Sequence, residues 1–189
     1  MNTHLDPVFN ILLPELETAG IKYWVYGGVS IAAFAGHFIR TNIDVDTFVK
    51  DEDYKKVCSL LEQLCNKHGF KYWPQPQKEW RQKLYIGIDG VERLSVVTAE
   101  TDNNKVKHLY GDTTKEYPLS ILNSVERNID NLRFFTSTDE NIKTMFKDYL
   151  MLRKGTPKQT TKEKIKCDAK VLLTDDKYKE LIGTNKIWN

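Results

Sequence analysis

Two glycines followed at a fixed distance by two alternating aspartates, Gly27-Gly28 and then Asp44 and Asp46, constrain this chain more than any other feature. The residues before the glycines, Ile21 to Tyr26, are β-branched and aromatic, which predicts a short buried strand. Gly27-Gly28 interrupts it, and Val29 to His37 is small and apolar enough for a closely packed helix. Ile43 to Val49 then alternates. Ile43, Val45 and Thr47 point one way and Asp44, Asp46 and Phe48 the other, the period of a strand.

Spacing of two on a strand sends both carboxylates to one face, about 7 Å apart at the backbone. Two such charges repel, each raising the other's pKa. A divalent cation relieves that repulsion, and Mg²⁺ (or Mn²⁺) favours a few carboxylates combined with phosphate oxygens. A solvated strand face that carries two acids is the alternative. Gly27-Gly28, between strand and helix, lets backbone amides approach a phosphate where the helix dipole favours an anion. Ser30 adds a hydroxyl contact there or serves as a cap or buried hydroxyl. Arg40, six residues before Asp46, either meets phosphate or pairs with the aspartates.

The remaining elements are read from periodicity. Asp6 to Ala19 is helical, with Gly20 as its C-cap. Asp51 to Lys67 is a helix capped by Asp51 or Asp53, its core stripe Val57, Leu60, Leu61 and Leu64. Gly69 to Trp80 reads as a loop or irregular strand. Leu84–Ile88 and Val91–Ala99 flank Asp89-Gly90, a hairpin signal. Asp102 to Glu116 is expected to be polar loop and Ile129 to Thr136 one more strand. Thr138 to Leu152 is a helix, interrupted by GTPKQ and resumed from Glu163 to Leu173. The order predicts an α/β (α+β) fold, a mixed β-sheet flanked by helices, with residues 1–137 as core and 138–189 as a C-terminal helical segment packed on it.

Composition excludes several classes. A chain of 189 residues with 40% apolar and 29% charged side chains buries a core without disulfides. Net charge is only +2, but Lys143 to Lys170 is locally basic, which suits a polyphosphate. Cys58, Cys65 and Cys167 lack metal-site spacing, and His4, His37, His68 and His108 form no ligand pattern. No apolar run is long enough to span a bilayer and the N-terminus lacks signal-peptide character, so a soluble, cytoplasmic protein is expected. No serine-hydrolase elbow or P-loop is present. Tyr72, Trp73, Trp80 and Tyr85, interleaved with Lys71, Lys78, Arg81 and Lys83, either stack a base or RNA or are core aromatics among surface lysines.

The run GGVSIAAFAGHFIRTNIDVDTFV, after the aromatic strand KYWVYGG, resembles the signature of the nucleotidyltransferase superfamily. It is similar in particular to lincosamide and aminoglycoside nucleotidyltransferases and to AbiEii-type toxin nucleotidyltransferases. The resemblance implies that Gly27, Gly28 and Ser30 hold nucleotide phosphates and that Asp44 and Asp46 are the catalytic pair that binds Mg²⁺. Arg40 matches the family's Arg-x-Thr, while Asn42 takes the Thr position. A looser likeness over MFKDYLMLRKGTPKQTTKEKIKCDAKVLL puts Lys147, Lys164 and Lys166 against the triphosphate, with Asp168 as a structural partner. The implied partners are an NTP and an acceptor that is a protein, an RNA or a small molecule, with a cognate antitoxin if the chain is toxin-like. The basic C-terminal helices lean that way.

Many superfamily members add a third carboxylate from a later strand. ERLSVVTAE aligns there, yet its central outward position is Ser95, with Arg93 and Val97 on the same face and Glu92 on the other in a regular strand. A serine cannot replace a carboxylate as metal ligand or base at neutral pH. A bulge would redirect Glu92, and Asp89 or Glu100 are within reach of the strand ends. Otherwise the substrate needs little activation, catalysis is impaired, or the chain is a non-catalytic nucleotide- or RNA-binding module.

Overall fold

The computed structural model describes residues 2–78, 81–102, 104–110, 113–152, 159–174 and 176. A nine-stranded mixed sheet organises them. The strands are β1 (Tyr23–Tyr26), β2 (Val45–Lys50), β3 (Lys71–Lys78), β4 (Arg81–Ile88), β5 (Val91–Asp102), β6 (Lys105–Tyr110), β7 (Thr113–Pro118), β8 (Val125–Ile129) and β9 (Leu132–Thr136). The main path runs β3-β4-β5-β2-β1-β9-β8, with β6 and β7 continuing from the far end of β5. β2 runs parallel to β5 and β1 parallel to β9; the other pairs are antiparallel.

Helices α1 (Leu13–Thr18), α2 (Gly27–Ala35) and α3 (Tyr54–His68) cover one face. The core there joins Leu5, Leu12, Leu16, Val57, Leu61, Leu84, Leu94 and Phe134, all fully buried. The first helix opens as a π-helical turn, Val8–Leu12, before becoming α-helical at Leu13. Cys65 is buried and Cys58 half-buried on α3, as expected of small apolar residues. Asp53 occupies the N-cap of α3, but its side chain makes no capping hydrogen bond. Helices α4 (Asp139–Leu152) and α5 (Gln159–Leu172) pack on α2 through Ile31, Ile142, Phe146, Ile165 and Ala169.

Several expectations need correction. The stretch expected to be loop instead holds β6 and β7, paired antiparallel, because Val106, His108, Leu109 and Tyr117 are buried despite intervening lysines. Ile129–Thr136 is not one strand but the turn and second arm of the β8–β9 hairpin, reversed at Asp130, whose φ is 52°. Residues 71–78, in the stretch expected to be a loop or irregular strand, do form an irregular edge strand whose register shifts between Gln75 and Lys78, and Pro74 and Pro76 are tolerated there because one side of β3 is unpaired. Gly27-Gly28 is not a separate turn but the first residues of α2. The second C-terminal helix begins at Gln159 rather than Glu163, while residues 153–158 and Trp80 lie outside the described residues. Asp89-Gly90 does close a two-residue hairpin, with φ of 53° and 76°. No helix among the described residues is long and apolar enough to cross a membrane.

Phe134 is fully buried with its ring 5.0 Å from that of Phe9. Phe134→Ala is expected to lower unfolding free energy by about 3–5 kcal/mol. Urea denaturation checks this through a lower midpoint at unchanged slope.

Candidate active site

The face of the sheet opposite α1 and α3 carries the chemistry. Registers across four strands place Tyr85, Ser95, Asp46 and Tyr26 in one row, and Lys83, Val97, Phe48 and Trp24 in the next. Asp46 therefore sits beside Ser95, as the sequence implied, and the Ser95 hydroxyl donates to Asp46 Oδ1 at 2.9 Å. Asp44 lies just before β2 and is half-buried.

Glu92 joins them through a bulge. Leu94 pairs with Ile86 but Glu92 pairs with Gly87, so Arg93 is an extra residue with no opposite partner on β4. That insertion reverses the alternation and turns Glu92 onto the face of Ser95 and Asp46. Arg93 itself swings to donate from Nη1 to the carbonyl of Ile43 at 2.9 Å, tying the strand that carries Glu92 to the approach of Asp44.

The electrostatics follow from this crowding. Burial, then the charge of Asp44, pushes Asp46 up to about 6, against the Ser95 hydrogen bond and Lys83. Burial likewise raises Asp44, opposed by Lys164, Lys83 and Arg40. Glu92 is raised to about 7 by burial and then by Asp44, with Lys83 opposing and Asp46 adding. Asp44 and Asp46, whose carboxylates burial keeps from ionising readily, offer oxygen donors of the kind a hard divalent cation takes. Among the described residues no three His, Cys, Asp or Glu side chains lie close enough to hold a metal unaided. A cation at Asp44 and Asp46 would thus complete its shell with water and substrate oxygens. Lys83, which the sequence marked only as a cation among the aromatic cluster, lies with its ammonium 4.2 Å from the Tyr85 ring and opposes the shift of all three carboxylates.

The glycines have a specific steric cause. Gly27 has φ of 66°, and a Cβ there would stand 2.9 Å from Asp46 Oδ2. A Cβ on Gly28 would overlap Arg40 Nη2 and Asn42 Oδ1. Arg40 does not pair with Asp44 or Asp46 but forks onto Asp168 of α5, Nε to Oδ1 at 2.8 Å and Nη2 to Oδ2 at 2.9 Å. Its Nη1 donates to Asn42 Oδ1 at 2.8 Å. Asn42 is held in turn by Asn2 and His4: its amide donates to Asn2 Oδ1 at 2.9 Å, and its carbonyl accepts from His4 Nε2 at 2.6 Å. Nothing in the sequence pattern marked those two N-terminal residues.

A cleft of about 660 Å³ opens between this face, β6, α2, α4 and α5. Gly27, Gly28, Ser30, Arg40, Asp46, Lys164 and Asp168 line it. Ser30 is buried and donates its hydroxyl to the Gly27 carbonyl at 2.9 Å. Lys147 and Lys166 are exposed and do not line the cleft. Asp89 is exposed at the hairpin tip, and Glu100 faces Lys107 at 3.4 Å. Of the aromatic cluster, Tyr72 packs against the main core and Trp73 covers Gly87.

The cleft's far end belongs to the β6–β7 hairpin. Tyr110 and Tyr117 share a hydroxyl hydrogen bond of 2.7 Å, and Tyr117 donates to the buried Asp148 of α4 at 2.9 Å. His108 is buried edge-on to Tyr26, Phe48 and Tyr110. Burial, then Arg81 and Lys83, lowers its pKa to about 3.

Gly28→Ala is expected to displace Arg40 and lower Tm by several degrees, because the Asp168 carboxylate loses its partner. Gly20→Ala, at φ of 70° with open space around it, should cost only about 1–2 kcal/mol of backbone strain. Differential scanning calorimetry on both variants distinguishes the two causes. His108 gives a pH prediction. Its folded pKa lies below the unfolded value of 6.5, so the unfolded chain binds the proton first. Stability is unaffected above about pH 6.5 and falls towards about pH 3; His108→Phe should flatten that acid limb in urea titrations at pH 7, 5.5 and 4.

Comparison with known proteins agrees with this geometry. A sequence profile described as Aminoglycoside-2″-adenylyltransferase matches residues 8–131, well over half the chain. No curated protein matches by sequence. The fold is shared with the crystal structure of ANT(2″)-Ia in complex with adenylyl-2″-tobramycin, at 16% identity and TM-score 0.63, covering 97% of each chain. The solution structure of ANT(2″)-Ia gives 15% identity and TM-score 0.64 over 97% of this chain and 92% of that one. The lincosamide antibiotic adenylyltransferase LnuA, lincomycin-bound, gives 17% identity and TM-score 0.58 over 89% and 97%. The chain belongs to the aminoglycoside-2″-adenylyltransferase family and is a nucleotidyltransferase.

Proposed function

We propose that the protein transfers a nucleoside monophosphate from an NTP to a hydroxyl group of a small-molecule acceptor of the antibiotic type, using Mg²⁺ or Mn²⁺ at Asp44 and Asp46. The observation that carries this reading is the Arg93 bulge, which puts Glu92 on the face of Asp46 and supplies the carboxylate that Ser95 cannot. That removes the main argument for a non-catalytic binding module. The family points to adenylyl transfer, and two of the compared structures hold an adenylylated aminoglycoside and a lincosamide. The toxin-like alternative, with a protein or RNA acceptor and a cognate antitoxin, rested on basic C-terminal helices. Lys147, Lys166 and Lys170 there are exposed and do not line the cleft.

In this reading the triphosphate lies against the N-terminus of α2, where the Gly27 and Gly28 amides and the helix dipole favour an anion. Ser30 braces that turn through the Gly27 carbonyl, and Lys164 and Arg40 add positive charge. A divalent cation, when bound, neutralises charge on the phosphates. Glu92 accepts the proton of the acceptor hydroxyl, whose oxygen attacks the α-phosphorus in line. The new P–O bond forms as the bond to the bridging oxygen breaks, and pyrophosphate leaves. Residues 1–137 act as the catalytic core, and α4 and α5, from the stretch 138–189, wall the cleft.

Transfer of label from α-labelled ATP to hydroxyl antibiotics tests the proposal. The wild-type protein should label at least one acceptor in the presence of Mg²⁺, and Asp44→Ala/Asp46→Ala should abolish it. Glu92→Gln should lower kcat by about 10²–10⁴ with nucleotide affinity unchanged. Wild-type rates in either variant would sink the assignment.

A further inference from the structure

The strand neighbour of Glu92 is Gly87 on β4, and the next residue outward is Lys71 on the edge strand β3. Alternation sorts the aromatic cluster between the two faces of this edge. Tyr72 packs into the main core, so Lys71 and Trp73 fall on the opposite face, with the carboxylates. The register agrees: Trp73, Tyr85, Ser95 and Asp46 form one row across β3, β4, β5 and β2.

Gly87 lets Trp73 lean towards Glu92. A Cβ on Gly87 would stand 2.5 Å from Trp73 Cζ3 and 2.7 Å from Cη2, so the indole lies on bare backbone in the row of Glu92. Adjacent strands are about 5 Å apart, which brings ring and carboxylate within the span of one small molecule. Trp73 and Tyr85 are half-buried, and each has a cation at its ring. Lys71 Nζ lies 5.4 Å from the Trp73 centroid and Lys83 Nζ 4.2 Å from that of Tyr85. Lys83 also opposes the shifts of Asp44, Asp46 and Glu92, so its charge acts on the rings and the carboxylates together. The transfer step uses neither Trp73 nor Lys71.

The chemistry of this surface is selective. Indole and phenol rings stack a planar ring, and the ammonium groups beside them attract carbonyl, nitro or carboxylate oxygens and repel other ammonium groups. Lys71 is exposed, and its flexible stem lets the ammonium move to the edge of a ring stacked on Trp73.

We infer that Trp73 and Tyr85, with Lys71 and Lys83 at their rings, form the platform that holds the acceptor, and that this acceptor is an uncharged or anionic aromatic hydroxyl compound rather than a polycation. The inference rests on the proposed transfer to a small-molecule hydroxyl and names the class of that substrate.

Transfer of label from α-labelled ATP with Mg²⁺ to chloramphenicol, a neutral aryl diol, and to tobramycin, a polycation, tests this with wild type, Trp73→Leu, Trp73→Phe and Lys71→Glu. Wild type should favour chloramphenicol roughly tenfold or more in kcat/KM. Trp73→Leu keeps Gly87 covered and should raise the chloramphenicol KM roughly tenfold with the ATP KM unchanged, while Trp73→Phe recovers most of the loss. Lys71→Glu, at an exposed position, should raise tobramycin labelling relative to chloramphenicol. An unchanged chloramphenicol KM in Trp73→Leu overturns the inference. So does an equal rise in the ATP KM, which marks a structural role alone. Wild-type preference for tobramycin overturns the platform and leaves the transfer reading standing. Label on neither compound also overturns it, and transfer to any other hydroxyl antibiotic would then keep the broader reading.

Discussion

Repulsion among Asp44, Asp46 and Glu92 is the constraint around which the rest of the site is arranged. Three carboxylates gather where the central strands β2 and β5 begin, partly out of water; burial raises all three, and neighbouring carboxylate charge adds to the shift of Asp46 and Glu92. The chain tolerates them through Lys83 and Lys164, whose charges oppose the shift, and through the Ser95 hydroxyl on Asp46. The arrangement is strained without a cation and suited to one, a common feature of sites where charge is gathered for catalysis.

The glycines belong to the same constraint. Gly27 leaves room for the Asp46 carboxylate, and Gly28 leaves room for Arg40 and Asn42. Arg40 then ties the loop before β2 to Asp168 on α5, so the element that carries the aspartates and the helix that walls the cleft are fixed to each other. A bidentate Arg–carboxylate pair with both side chains mostly buried holds orientation well, and removing either partner leaves a buried charge. On the other side, the Tyr110–Tyr117–Asp148 hydrogen bonds dock the β6–β7 hairpin on α4. The cleft is thus bounded by two polar locks rather than by apolar packing alone.

Much of this was legible in the sequence, and the reasons are local. Alternation on β2 and the glycine break before α2 are short-range patterns, and they marked Asp44 and Asp46 and the strand and helix beside them. The Asp89-Gly90 hairpin was legible because a two-residue reversal needs those φ values. Glu92 was harder. Its facing depends on Arg93 having no partner on β4, a property of pairing that no residue in ERLSVVTAE announces. The β6–β7 hairpin was hidden because its lysines and glutamate dilute an alternation that Val106, His108 and Tyr117 still obey. The partner of Arg40 was open for a third reason: Asp168 lies 128 residues away, and only tertiary packing brings it close.

A structure of the protein crystallised with Mn²⁺ and a non-hydrolysable NTP analogue tests the central claim most directly. The account predicts an anomalous peak shared by the Asp44 and Asp46 carboxylates and phosphate oxygens, with the Glu92 carboxylate facing the α-phosphorus from the acceptor side. A metal bound elsewhere, or a Glu92 turned to the opposite face of β5, would contradict it.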